Sequence, residues 1–300
     1  DNTFRGPITL RDALAQSINI PAVKVLYLVG IQAALETAHR LGITTLTENE
    51  AYYGLPLVLG GGEVTLLEMA SAYGVFAQDG IHQETTPVLK VDDPAGNILE
   101  EYKEGDGERV LDEDVARTIN DVLSDNTART PAFGEASGLY FPGYQVAAKT
   151  GTTNDYRDAW IIGYTPTIVM GAWAGNNDNT PMQKKVAGFV VAPLWNEVMK
   201  YALERTDPPP PAFQSRTPKD PALLPPMLRG AWNEVGPHSI LFSVNKDNPL
   251  LPPVNTEKDL QFERWEYAVA LWAGLNASST QTITPRAGTP VYPTTSRLIT

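Results

Sequence analysis

Two short segments carry residues whose types and spacing could support acyl chemistry on a peptide. Ser17 and Asn19 stand two positions apart in the first, and the second reads K-T-G-T-T at residues 149–153. A serine hydroxyl can relay a proton, and an asparagine amide can both donate to and accept from a peptide bond. The S-x-N pattern alone arises by chance in many chains, but its combination with K-T-G-T-T in this order is much more specific than either motif alone.

If the second segment forms a β-strand, its side chains alternate between the two faces of that strand. Lys149 and Thr153 then share one side, and Thr150 and Thr152 point to the other. Gly151 between these threonines lets a ligand backbone lie against the strand, and an edge strand could accept an extended peptide as its neighbour. The two hydroxyls suit a carboxylate, the N–H of Thr152 could stabilise an oxyanion, and Lys149 provides positive potential.

Composition excludes several other classes of protein. The 300 residues carry a net charge of -12. This argues against a nucleic-acid-binding protein, because such a protein needs Lys and Arg side chains to neutralise phosphates. The chain has no cysteine and three histidines, so we predict no metal site and no cofactor. No apolar run reaches the roughly 18 residues that a membrane span requires.

Local patterns predict helices first and strands afterwards. The periodicity, caps and glycines indicate helices over 10–16, 21–29, 31–40, 65–78 and from Asp112 onward, the fourth opening with a T-x-x-E capping box. Runs rich in Val, Ile, Trp and Thr with short connections indicate antiparallel strands over 145–153, 159–164 and 167–174. The prediction is an α+β fold, with an antiparallel sheet covered by helices.

Proline marks the boundary of this region. Fifteen of the 25 prolines stand in the 95 residues from Thr206 onward, and four of them follow Asp207 in one run. Such a run cannot continue a helix and favours an extended, stiff linker. We therefore predict a domain over 1–205, a proline-rich linker over 206–235 and a small, partly disordered C-terminal region over 236–300.

The motifs and their flanks resemble the transpeptidase domain of class A (bifunctional) penicillin-binding proteins. This family belongs to the serine acyltransferases, with class A β-lactamases. The similarity extends through residues 6–23, through 59–73, and through 149–166 with Asp158, Ala159 and Trp160. It covers residues 1 to about 203.

One element of the family pattern is missing. The nucleophile motif S-x-x-K should stand some tens of residues before S-x-N, but only 16 residues precede Ser17 and none is a serine. The single S-x-x-K string, Ser243 to Lys246, lies beyond the third motif and the linker. We therefore expect a truncated domain without its nucleophile, which should not form an acyl-enzyme.

The resemblance implies a D,D-transpeptidase that cross-links peptidoglycan through an acyl-serine intermediate. Its ligands would be the D-Ala-D-Ala end of a stem peptide and β-lactams, with Ser17, Asn19 and Lys149 catalytic and residues 150–153 binding substrate. The parent protein would work outside the cytoplasmic membrane. A membrane anchor and a glycosyltransferase domain would lie in its missing N-terminal part, and other cell-wall synthesis proteins could be partners.

Two other functions stay open at this level. A penicillin-binding fold could have lost its chemistry and serve recognition or sensing, or the enzyme could be a hydrolase of the carboxypeptidase or β-lactamase type. Blander interpretations also exist for single residues. Ser17 could cap the following helix, and Lys149 could be an edge lysine that opposes aggregation.

Overall fold

Two compact units divide the chain in the computed structural model. One is Arg11–Thr217, and the other combines Asp1–Leu10 with Pro218–Thr300. The structure describes residues 8–103, 105–182, 186–217 and 267, nearly all of which belong to the first unit. Most of the predicted linker, nearly all of the predicted C-terminal region and the Ser243 string lie outside the described residues.

Helices build most of the unit. Those with α-helical geometry are α1 (Leu10–Ala15), α2 (Asn19–Val29), α3 (Ile31–Arg40), α4 (Glu50–Tyr53), α5 (Leu66–Ala77), α6 (Glu113–Ser124), α7 (Asn126–Phe133), α8 (Ala187–Val190) and α9 (Ala192–Leu203). Short 3-10 turns cover Leu55–Leu59 and Asn154–Tyr156. The predicted helices are all present, and α2 begins two residues before Pro21. Proline is tolerated there because a first-turn N–H needs no helical partner.

Three small antiparallel sheets accompany the helices in the described part of the chain. Their strands are β1 (Ile81–His82), β2 (Lys90–Asp92), β3 (Ile98–Glu101), β4 (Glu108–Arg109), β5 (Ala147–Thr152), β6 (Asp158–Tyr164) and β7 (Val169–Gly175). β1 pairs with β4, β2 with β3, and the largest sheet has the order β5-β6-β7. The prediction of an antiparallel α+β fold is confirmed.

The β5-β6-β7 sheet lies between two layers of helices. On one face, Ala147 and Tyr164 pack with residues of α5 and α6. On the other, Ala148 and Ile161 pack with α8 and α9, where Trp195 is 1% exposed. Because neighbouring strand residues face opposite layers, both sides of the sheet belong to the core.

A buried polar pair joins the first layer to the sheet. The hydroxyl of Tyr164 donates to Oδ1 of Asn120 over 2.8 Å, and Nδ2 of Asn120 donates to the carbonyl of Phe76 over 2.8 Å. Tyr164 and Asn120 are both fully buried. Buried polar groups need such partners, and these bonds fix α6 against α5 and β6.

The segment that follows α9 runs along the same unit. The N–H of Phe213 donates to Oε1 of Gln145 over 3.0 Å, and its ring lies edge-on to Tyr164 with centroids 5.6 Å apart. The N–H of Thr217 donates to Oδ1 of Asp114 over 2.9 Å. The start of the predicted linker, 206–217, therefore packs on the domain, while the boundaries of the three predicted regions stay a prediction.

Among the described residues, no single helix is long and apolar enough to cross a bilayer. Taken together, α2 and α3 have the length and the apolar composition of a membrane span, but a bend of 95° separates them.

The predicted capping box at the start of α5 is present and extends into a larger network. The Thr65 hydroxyl accepts from the Glu68 N–H, and the Glu68 carboxylate accepts from the backbone of Thr65. The same carboxylate accepts from the N–H and hydroxyl groups of both Thr44 and Thr45. Burial by itself would raise the pKa of Glu68, but the donors from Thr45, Thr44 and Thr65 lower it to about 2.

We predict that Glu68→Gln destabilises the chain by about 1–2 kcal/mol at pH 7, because charged hydrogen bonds are lost. Since the folded pKa lies below the usual 4.5, the contribution is complete above pH 4.5 and is lost as the pH falls through about 2. Urea unfolding of both forms should show their difference shrinking in that window. The matched control is Glu36→Gln, at an exposed residue that accepts one bond, from Gln32. An equal effect of the two substitutions at pH 7 would contradict the prediction.

Candidate active site

The strand that carries the K-T-G-T-T residues is an edge strand in the described part of the chain. β5 pairs only with β6, in a register that joins Lys149 to Ile162 and Thr152 to Ala159. Immediately after β5, the N–H of Thr153 donates to the carbonyl of Asp158 on β6. Backbone groups alternate along an antiparallel strand, so those of Thr150 and Thr152 face the open edge.

Lys149 and Ser17 meet in space although 132 positions separate them. Nζ of Lys149 donates to Oγ of Ser17 over 2.6 Å and to the carbonyl of Thr150 over 2.7 Å. The first bond brings together the two motifs found in the sequence. It also leaves the Ser17 hydroxyl proton free to be donated elsewhere.

The environment of Lys149 changes its acidity. The side chain is partly buried, and this burial lowers the pKa of Lys149 to about 8. Its two acceptors are neutral oxygens, which do not offset the loss of hydration as a carboxylate would. Lys149 is therefore charged at neutral pH and gives up its proton more easily than a surface lysine.

Ser17 lies in a strained turn between α1 and α2. Its φ of 58° is in the left-handed region, which residues other than glycine and asparagine rarely adopt. The N-cap of α2 is Ile18, and no side chain caps this helix, so Ser17 does not serve as its cap. A bond of 3.0 Å from Nε2 of Gln16 to the carbonyl of Ala128 anchors the turn to α7.

Asn19 is the first residue of α2, two positions beyond Ser17, and is exposed. Its amide therefore stands at the same turn as Ser17.

The threonines of the motif differ in what their hydroxyls contact. Oγ1 of Thr152 accepts from the N–H of Ala187 at the start of α8 over 2.9 Å, on the face opposite Lys149. Oγ1 of Thr153 donates to the carboxylate of Asp158 and accepts from its N–H. Thr152 keeps its hydroxyl proton for a ligand, whereas Thr153 uses its own inside the protein.

Two further residues of the site, Asp158 and Ala187, are not predicted by the sequence motifs. Asp158 also accepts from the indole N–H of Trp173 over 3.0 Å, so it joins the end of β5 to β7. Asp158 lies within the stretch 149–166 that resembles the family, but nothing in the local pattern marks its carboxylate. Ala187 acts through its backbone, for which a sequence carries no signal.

Two glycines allow close packing around β5. A Cβ on Gly151 would stand 3.3 Å from Cβ of Trp160, on the neighbouring strand. A Cβ on Gly60 would stand 3.3 Å from Cγ2 of Thr153, and the φ of Gly60 is 94°. The glycine turn at 60–62 therefore packs against the end of the motif.

Metal ligands form no group in the part of the chain that the structure describes. No cluster of three or more His, Asp or Glu side chains there could bind a metal ion.

The family model that matches the chain is the penicillin binding protein transpeptidase domain, over residues 1–200. The chain belongs to this family. Penicillin-binding protein 1A of Aquifex aeolicus is 37% identical over 205 residues, which are 67% of this chain and 26% of that protein. The sequence-based resemblance to class A penicillin-binding proteins is confirmed. The chain spans about a quarter of the length of the curated relatives that it matches.

Solved penicillin-binding proteins share the fold. Penicillin-Binding Protein 1A from Haemophilus influenzae matches with a TM-score of 0.58 and 25% identity, over 72% of this chain and 37% of that chain. PonA1 from Mycobacterium tuberculosis, solved in complex with penicillin V, matches with a TM-score of 0.57 and 23% identity. That match covers 69% of this chain and 60% of PonA1, and it supports the penicillin-binding fold.

We predict that Lys149→Met stabilises the domain at pH 7 by about 1–3 kcal/mol, because a partly buried ammonium is replaced by an apolar chain. Since the folded pKa of about 8 lies below the usual 10.5, the cost is complete below pH 8. It shrinks as the pH rises from 8 towards 10.5, so the gain should shrink with it.

Thermal unfolding at pH 7 and pH 10 measures this gain. Lys200→Met, on the exposed side of α9, is the matched control and should change little. A loss of stability in Lys149→Met at pH 7 would show that the charge of Lys149 is needed for folding.

Proposed function

We propose that this domain carries out D,D-transpeptidation, joining peptidoglycan stem peptides through an acyl-serine intermediate. Membership in the penicillin-binding transpeptidase family supports the class of reaction. The observation that carries the proposal is the 2.6 Å bond between Lys149 and Ser17, beside an open strand edge. It joins a cation, a proton relay and a peptide-binding edge in one place.

The proton chemistry follows from the direction of that bond. Ser17 accepts from Nζ of Lys149 and can donate its own proton to the nitrogen of a departing D-Ala. Lys149 then returns a proton to Ser17, which its lowered pKa favours. The same path runs in reverse when an acceptor amine attacks the acyl group and loses a proton.

The open edge of β5 suits an extended peptide. A donor peptide can add there as a strand, with its carbonyl oxygen at the N–H of Thr152. That N–H stabilises the oxyanion that forms as the carbonyl is attacked. The terminal carboxylate would lie near the Thr150 and Thr152 hydroxyls and in the positive potential of Lys149.

The identity of the nucleophile is inferred from the resemblance to the family. A serine of an S-x-x-K motif gives its hydroxyl proton to the lysine of that motif and attacks the carbonyl carbon between the two D-Ala residues. The C–N bond breaks, and the last D-Ala leaves as an amine that takes its proton from Ser17. An amine of a neighbouring stem peptide then takes the acyl group. A β-lactam would acylate the same serine. These substrates imply that the domain works on the outer side of the cytoplasmic membrane.

We predict that Lys149→Ala, in the protein as its gene encodes it, slows acylation by a fluorescent penicillin by about 10²–10³-fold, because positive charge at the reacting centre is lost. Lys149→Arg should retain part of the rate. The wild-type rate should fall as the pH rises above about 8, where Lys149 loses its proton, and Lys149→Arg should lack that decline. An unchanged rate in Lys149→Ala would remove Lys149 from this role.

The fate of the acyl group separates the transferase from its alternatives. Rapid release of the label to water, without transfer to an added D-amino acid, would indicate a hydrolase. Absence of any label in the protein as its gene encodes it would favour a sensor.

We also predict that the 300-residue chain itself is not labelled by a fluorescent penicillin. It has no S-x-x-K serine before Ser17, so the proposed nucleophile is absent from this sequence. Gel fluorescence after incubation is the measurement. Ser243→Ala is the matched control, because labelling that disappears in this variant would identify Ser243 as the nucleophile and overturn the prediction.

A further inference from the structure

A cationic side chain outside the active site is buried without a matching anion. Arg129 on α7 is 3% exposed. Its Nε and Nη1 atoms are buried and have no hydrogen-bond partner among the described residues. Such groups are rare in folded proteins, and a charged one is especially unfavourable.

The remaining contacts of Arg129 are weak. Nη2 donates to the carbonyls of Ser124 over 3.4 Å and Val146 over 3.5 Å, both near the limit of a hydrogen bond. Burial lowers the pKa of Arg129 to about 10, and the charge of Asp125 offsets this only in part. The Asp125 carboxylate itself accepts from Arg11 and from the N–H of Ala128.

Arg129 lines a cleft between α7, the residues that lead into β5 and the segment after α9. The cleft has a volume of about 410 Å³, which is the size of a small-molecule site. Tyr140, Phe141 and Tyr144 contribute to its walls, and Pro210 and Ala212 contribute from the later segment. Neither Ser17 nor Lys149 lines it.

We propose that this cleft binds a small carboxylate ligand, with the carboxylate paired to the Arg129 guanidinium and an apolar body among the tyrosine rings. A guanidinium is planar and matches the two oxygens of a carboxylate. One carboxylate carries one negative charge, which balances Arg129. A phosphate dianion would leave an excess of negative charge in a chain whose net charge is already -12.

This site is independent of the proposed transpeptidation, although it adjoins elements of the acyl site. The carbonyl of Ala128, next to Arg129, accepts from Gln16, which precedes Ser17. The carbonyl of Val146, which accepts from Arg129, immediately precedes β5. Arg129 and its neighbour Ala128 therefore contact one segment each, so a ligand at Arg129 would lie beside both.

The test uses the 300-residue chain labelled with ¹⁵N at the Nε position of arginine. Sodium benzoate is titrated at constant ionic strength, with sodium chloride as reference, and the Arg129 signal is assigned by its loss in Arg129→Gln. We expect a saturable shift of that signal. Calorimetry should show benzoate binding weakened by about tenfold or more in Arg129→Gln.

Two further variants keep the test decisive. Ala212→Trp fills the cleft without altering the guanidinium, and it should remove the benzoate response of Arg129. Arg205→Gln changes an exposed arginine that stacks on Tyr201, and it should bind benzoate as the unmodified chain does.

Three results would overturn the proposal. One is the absence of a saturable Arg129 shift with benzoate. Another is a full response in Ala212→Trp. The third is tighter binding of inorganic phosphate than of benzoate, which would contradict the assignment of a carboxylate.

Discussion

The partly buried ammonium group of Lys149 is the constraint on which the rest of the site depends. A lysine in this environment loses hydration, and its acceptors, the Ser17 hydroxyl and the Thr150 carbonyl, are neutral. A carboxylate partner would stabilise the charge but would also compete with an anionic ligand. The arrangement therefore keeps the charge available at the open edge of β5 and requires a rigid surrounding to keep it there.

The two helical layers provide that rigidity. Ala147 and Tyr164 face α5 and α6, where the Asn120 bonds fix the layer. Ala148 faces α8 and α9, where the Trp195 ring lies so close to β6 that a Cβ on Gly163 would stand 2.3 Å from it. A strand packed on both faces and paired along one edge can present only its other edge to a ligand.

Arg129 shows the same physical pattern at the other end of β5. Both cations are withdrawn from water and have neutral oxygens as their direct hydrogen-bond acceptors. Both have a lowered pKa because of burial. Although the chain has a net charge of -12, neither group forms a hydrogen bond with a carboxylate among the described residues. Each is thereby suited to an anion, at two places joined by the first residues of one strand.

The sequence alone determined the features that depend on interactions between nearby residues. Helical periodicity, the Thr65–Glu68 box and the alternation of residues 149–153 act within a few positions, so they predicted the helices, the antiparallel strands and the two sides of β5. They also selected Ser17 and Lys149 as candidates. Packing alone decided the bond between these two residues, the donor from Ala187 to Thr152 and the unpaired guanidinium of Arg129. Such contacts join positions far apart in the chain, and their distances and hydration follow from how whole layers fit together.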